Sequence, residues 1–188
     1  MRTRMMVATL IALAAAALAA CSNNDDSSTT GNFNSADVSF ATDMIPHHRQ
    51  ATEMASLAAS RTQNAAVLDL ANRIGAAQEP EIDTMTSWLE GWGEDVPTDM
   101  EGMDHSSGDM SSMPGMMSDD EMSTLKGSSG PAFDQKFLTM MVEHHEGAIE
   151  MARSEQADGQ NSKAVALAKK IQQDQTAEVA EMKALLEG

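Results

Sequence analysis

Apolar positions along the chain recur at helical spacing, and they do so twice. Phe40, Met44, His47, Ala51 and Met54 fall at steps of 4, 3, 4 and 3 residues, and Phe137, Met141, His144, Ala148 and Met151 repeat those steps. Such steps place each set on one face of a helix. Val67, Leu70, Ile74, Glu81, Met85 and Trp88 mark a further helical face, and Ala164, Leu167, Ile171, Glu178, Met182 and Leu185 mark its counterpart. Turn and cap residues at Ser60 to Asn64 and Asp158 to Asn161 break each pair of arms, and Gly91 and Gly93 end the second arm.

A shift of 97 residues lays Phe40–Leu89 over Phe137–Leu186 without a gap and gives 18 identities in 50 positions, the mark of an internal repeat. The expected fold is all-α: two repeated helical hairpins, residues 35–90 and 131–188, packed as a four-helix bundle. Two prolines separate the halves. Pro46 and Pro80 stand where the second copy has Glu143 and Ala177, and each should kink its helix or mark a start. Pro46 directly precedes His47 and His48, so the first His pair is expected to be held differently from the second.

Residues 91–130 form a connector of unusual length for a compact domain. Ser118 to Glu121 reads as a capping box that opens a short helix near 119–126, with Gly127 as its stop. The rest has no period. Met100, Met103, Met110, Met113, Met116, Met117 and Met122, with His105, fall within 23 residues among Gly, Ser and Asp. Core helices use Met at fixed spacing to fill gaps, so packing explains this stretch poorly.

At the amino end, Arg2 and Arg4 precede an apolar run from Met5 to Ala20 that is short and Ala-rich for a membrane span. The layout is that of a secretory signal, and Leu18-Ala19-Ala20-Cys21 resembles the lipobox of bacterial lipoproteins. Residues 1–20 are therefore expected to be removed, Cys21 to be lipidated and residues 21–34 to serve as a flexible tether. The protein would then work outside the cytoplasm, held to the membrane through Cys21, with its one thiol blocked.

Composition narrows the function. Aromatic residues are 3% of the chain and Tyr is absent, which fits neither a sandwich nor a stacking platform for single-stranded nucleic acid. A formal charge of −17 argues against any nucleic-acid partner. Loss of Arg2 and Arg4 takes it to −19. The single Cys excludes a disulfide framework and a Cys-built zinc site.

Seventeen Met residues and the His pairs suggest another chemistry. Thioethers are soft neutral ligands suited to Cu(I) and Ag(I), and imidazole suits Cu(I), Cu(II) and zinc. Met44 lies three residues before His47 and four before His48, and Met141 stands likewise to His144 and His145. Each first arm can thus offer a Met/His/Met strip, Met44, His47 and Met54 in one half and Met141, His144 and Met151 in the other. His47 and His144 are expected to face inward. His48 and His145 would lie on the flank of that site or make separate surface sites. Met103, His105, Met110, Met113, Met116 and Met117 would capture ions in the connector.

Glu81 and Glu178 sit in apolar stripes and need partners, with cross-bundle bonds to the His rings as one solution. Glu53 and Glu150, beside core Met, could accept bonds from metal ligands. A di-iron enzyme would need Glu-x-x-His motifs, which the chain lacks. No catalytic constellation is legible, and the protein is not expected to be an enzyme.

The two Met-x-x-His-His-x-x-Ala-x-x-Met motifs and the Met-Pro-Gly-Met-Met stretch at Met113–Met117 resemble the family catalogued as domain of unknown function 305, over about residues 35–188. The resemblance implies a ferritin-like helical bundle, commonly secreted, with copper binding in some members. It marks Met44, His47, His48, Met54, Met141, His144, His145 and Met151 as the residues to examine. The expected function is a lipid-anchored, extracytoplasmic copper-binding protein. It would buffer, sequester or hand on Cu(I), with Cu(II) and Ag(I) as further ions and a copper-handling protein as recipient. The alternatives are a metal-independent interaction module of the cell envelope and a ferritin-like redox enzyme.

Overall fold

A computed structural model describes residues 32–98 and 113–188. The described residues form five helices and no strand: α1 (Ser35–Arg61), α2 (Ala65–Trp92), α3 (Asp119–Lys126), α4 (Pro131–Asp158) and α5 (Ser162–Glu187).

Local chemistry sets the helix ends. The Asn34 side chain accepts from Ala36 N and Asp37 N, and the Asp37 carboxylate accepts from Asn34 N at 2.7 Å, a reciprocal cap. Asn64 and Asn161 cap α2 and α5, and Ser118 pairs with Glu121 to cap α3. Helix α4 opens on Pro131, whose missing N–H costs nothing at the first turn. Gly93, at φ 77°, ends α2 in the left-handed region, whereas Gly91 lies inside that helix. Neither Pro46 nor Pro80 starts a helix, since α1 and α2 run through them.

Helix α1 packs along α2, α4 along α5, and α1 against α4. Helices α1 and α4 are antiparallel. At one end the Asn34 side chain donates to Asp158 O at 2.8 Å, and at the other Gly130 N donates to Arg61 O at 2.7 Å. Lys170 to Glu81 and Arg73 to Glu181 tie α5 to α2.

The core has two apolar clusters. One holds Met54, Leu70, Phe133, Phe137, Met141 and Met182, and the other Phe40, Met44, Met85, Leu89 and Ile171. On α1, His47 and His48 fall between Ile45 of the second cluster and Ala51 of the first. On α4, His144 and His145 fall between Val142 of the first and Ala148 of the second. The helical pairing thus brings two polar stretches together at mid-height.

The connector departs from expectation. Met117 and Met122 are core residues, packed with Leu125 in the first cluster. Helix α3 is amphipathic and buries Met122 and Leu125 through their one-turn spacing, while Met117, just before that helix, is held through its backbone by Gln50 of α1. Met103, His105 and Met110 lie outside the described residues, as does Cys21.

Candidate metal centre

All four His side chains of the two pairs are fully buried. Separate surface sites at His48 and His145 are therefore excluded. Neighbouring helix positions point about 100° apart, yet α1 is covered by both α2 and α4, so both directions lead into the interior.

The inner residues, His47 and His144, meet across the α1–α4 interface with ring centroids 3.7 Å apart and planes tilted by 39°. The outer residues each reach a carboxylate on the partner helix of their own hairpin. His48 Nε2 donates to Glu81 Oε2 at 2.9 Å, and His145 Nε2 lies 2.8 Å from Glu178 Oε2. Lys170 of α5 adds a bond to Glu81 Oε1 at 3.0 Å. These are the cross-helix partners that the two acids of the apolar stripes required, Glu81 buried and Glu178 partly exposed. Glu53 and Glu150 take no such part: Glu53 is half-exposed and pairs with Lys126, and Glu150 is exposed. Both sit on the outer flank of their helices, away from the inward His face.

The connector reaches this centre. His47 Nε2 donates to the carbonyl of Pro114 at 3.1 Å. Three residues on, the Gln50 amide makes two bonds to the backbone of Met117, donating to its carbonyl at 2.8 Å and accepting from its N–H at 2.7 Å. Gly115, at φ 77°, lies against α4, where a Cβ would come within 2.6 Å of Glu143 O. A Cβ at Gly147 would overlap the Pro114 carbonyl group. The Met113–Met117 segment is therefore seated directly over the His pair.

Burial disfavours the charged form of His47, His48 and His144. Burial, with the neighbouring His48, pushes His47 down to about 3. Burial lowers His144 well below its ordinary value, and the other three His add to the shift. Burial also lowers His48, against the opposing pull of Glu81. Glu81 itself is lowered: burial would raise it, but His48 and Lys170 outweigh that.

A neutral imidazole that donates from Nε2 carries a lone pair on Nδ1. The Nδ1 atoms of His47, His48 and His145 are buried without a hydrogen-bond partner, and both ring nitrogens of His144 are likewise unpartnered. Orphaned buried acceptors of this kind fit a metal ion as the missing partner. Each carboxylate behind an imidazole N–H is the arrangement that orients His ligands and raises their basicity. Among the described residues no three His, Cys, Asp or Glu side chains converge on one point, and thioethers are donors that suit a soft metal beside imidazole.

Among the sequence candidates, Met44, Met54 and Met141 are fully buried in the clusters beside the His residues, Met151 is half-buried, Met117 is buried and Met113 and Met116 are half-buried. The residues of this centre that the sequence did not single out are Gln50, Pro114 and Gly147. One signal was present: positions 50 and 147 are equivalent in the repeat yet hold Gln and Gly.

No curated protein sequence matches the chain. Among solved structures, a candidate secreted protein, DUF305, from Streptomyces coelicolor is 32% identical, with a TM-score of 0.72 over 81% of this chain and 92% of that one. A DUF305 fragment from Deinococcus radiodurans is 27% identical, with a TM-score of 0.72 over 82% of this chain and 97% of that one. CopM in its Cu(II)-bound form is 30% identical, with a TM-score of 0.67 over 80% of this chain and 95% of that one, and its Cu(I)-bound and silver-bound forms also match. The family profile described as domain of unknown function (DUF305) matches residues 37–186, and the chain belongs to that family.

Proposed function

We propose that the protein is a copper-binding protein of the cell envelope, a ferritin-like four-helix bundle of two repeated hairpins that buffers, sequesters or hands on the ion without catalytic turnover. The observation that carries this reading is the buried contact of His47 and His144, with unpartnered ring nitrogens beneath the Met113–Met117 segment. Neutral imidazole and thioether donors suit Cu(I) and Ag(I) and need no proton removed. A net charge of −17 attracts cations to the molecule. Similarity to CopM, solved with Cu(II), Cu(I) and silver, supports the same choice of ion.

His47 and His144 would supply the inner nitrogen donors, and His48 and His145 the flanking ones, backed by Glu81 and Glu178. Met44, Met54, Met141 and Met151 lie in the adjoining clusters, and the connector methionines supply sulfur from above. A signal peptide over residues 1–20 and lipid on Cys21 would hold the protein outside the cytoplasm, and the candidate secreted relative supports that placement. Among the described residues no helix is long and apolar enough to cross a membrane.

Anaerobic titration of residues 22–188 with Cu(I) against a chromogenic chelator tests the proposal. Tight binding that is weakened when His47, His48, His144 and His145 become Ala is the expected result. Tight binding unchanged by those substitutions moves the site to the connector, and weak surface association alone ends the copper reading. The competing reading is a metal-independent interaction module. It draws on the protein partners that His47, His48 and His145 already have, and it predicts that copper leaves stability unchanged.

A further inference from the structure

The two halves of the repeat use one equivalent position in opposite ways. Gln50 stands three residues after His47, and Gly147 three after His144, so a shift of 97 residues superimposes them. Both are buried on faces that meet the same short segment of connector. Gln50 grips it, with both amide atoms on the Met117 backbone. Gly147 yields to it, because any side chain there would overlap the Pro114 carbonyl. A symmetric pair of Gln residues would leave no room for the chain, and a symmetric pair of Gly residues would remove the two bonds to Met117.

Each half of this arrangement has its own energetic reason. Gly in the middle of a helix is less favourable than Ala because it loses more chain entropy on folding, so α4 gives up stability at Gly147. A Gln buried to 2% exposure needs its amide satisfied, and Met117 satisfies both ends. Between the two, the Pro114 carbonyl comes to the ring of His47, and Gly115 takes the left-handed conformation that lets the chain lie against α4.

We infer that Gln50 and Gly147 are positioning residues that seat the Met113–Met117 segment on the His47–His144 pair, so that the segment supplies the sulfur half of a mixed nitrogen and sulfur copper site. The inference rests on the copper reading above and adds to it the means by which one asymmetric segment is docked on a repeated scaffold. It also assigns the Pro114 carbonyl as the group that holds His47 Nε2 when no ion is bound.

Three variants of residues 22–188 test it: Gly147→Ala, Gln50→Leu and Gly75→Ala. Gly75 lies within α2, and a Cβ there meets nothing within 4 Å, so its variant reports helix propensity alone. Hydrogen exchange of the metal-free protein, read at the amides of Met116 and Met117, should quicken in Gly147→Ala and Gln50→Leu and stay slow in Gly75→Ala. In the Cu(I)-loaded protein, X-ray absorption should show sulfur neighbours in the parent and Gly75→Ala and fewer in the other two. Their Cu(I) affinity should fall by about tenfold or more, because an unpinned segment loses effective concentration at the site. A parent protein that binds no Cu(I) overturns the copper reading and this inference together. Tight binding by the parent, with affinity and sulfur content unchanged in Gly147→Ala and Gln50→Leu, overturns the inference alone. Gln50→Leu leaves every helix residue of α4 in place, so it decides the matter should Gly147→Ala lose helicity.

Discussion

Lowering the pH from 6 to 5 protonates the imidazoles of the unfolded chain but not His47 and His144 in the folded one, and the size of the effect on stability follows from counting protons. His47 is held at about 3 and His144 well below its ordinary 6.5, both chiefly by burial. In the unfolded chain both take up protons as the pH falls through 6.5. In the folded chain they do not, so their contribution to stability is present above 6.5 and is lost on acidification. His48 is lowered too and adds to the loss.

Glu155 opposes them. Its side chain is 1% exposed, and burial, with the adjacent Asp37, raises it from 4.5 to about 8. The folded protein therefore holds one proton at Glu155 that the unfolded chain lacks at pH 5 to 6. That contribution is full below 4.5 and lost as the pH rises through about 8. His47 and His144 less Glu155 leave one net proton, or about 1.4 kcal/mol per pH unit, before His48 is added. Glu155→Gln keeps a donor toward Asp37 and removes the offset, so its slope should be about 2.7 kcal/mol per pH unit or more. Glu81 and Asp37, lowered from 4.5 and 3.8, act below this window.

For a domain of this size 1 kcal/mol moves Tm by about 2–4 °C. Thermal melts of metal-free protein, followed by circular dichroism at pH 6 and pH 5, should drop by about 3–6 °C in the parent and about 5–11 °C in Glu155→Gln. Equal melting temperatures at the two pH values in both proteins would refute the reasoning, as would identical drops in the two.

Two further outcomes are expected from the fold. Asn34→Ala removes the reciprocal cap of α1 and the bond to Asp158 O, and should cost about 0.5–2 kcal/mol in urea denaturation. Leu89→Ala opens a fully buried position in the second cluster, and should cost about 2–5 kcal/mol by the same measurement without changing the helix content of the folded state.

Much of the helical architecture is legible in the sequence. The steps that join Phe40 to Met54 and Phe137 to Met151 are local, because the helix repeat depends only on neighbouring residues. Caps are local as well, so Asn64, Asn161 and the Ser118–Glu121 box could be read from side-chain type and position alone. The need of Glu81 and Glu178 for partners also follows from their place in apolar stripes.

What the sequence determined by itself is therefore the set of helices, the faces they bury and the chemical character of the groups on those faces. The tertiary structure alone decided which of those groups meet. His47 and His144 are 97 residues apart in sequence, and only antiparallel packing of α1 and α4 brings their rings to 3.7 Å. Packing of α2 on α1 and of α5 on α4, together with the α1–α4 contact, buries His48 and His145, which an isolated helix would leave on its flank. It also divides the connector methionines, taking Met117 and Met122 into the core. Gln50 and Gly147 show the limit most clearly. Each is an ordinary helix residue until the Met113–Met117 segment lies against it, and no local rule specifies where a chain that has left one helix returns to touch another.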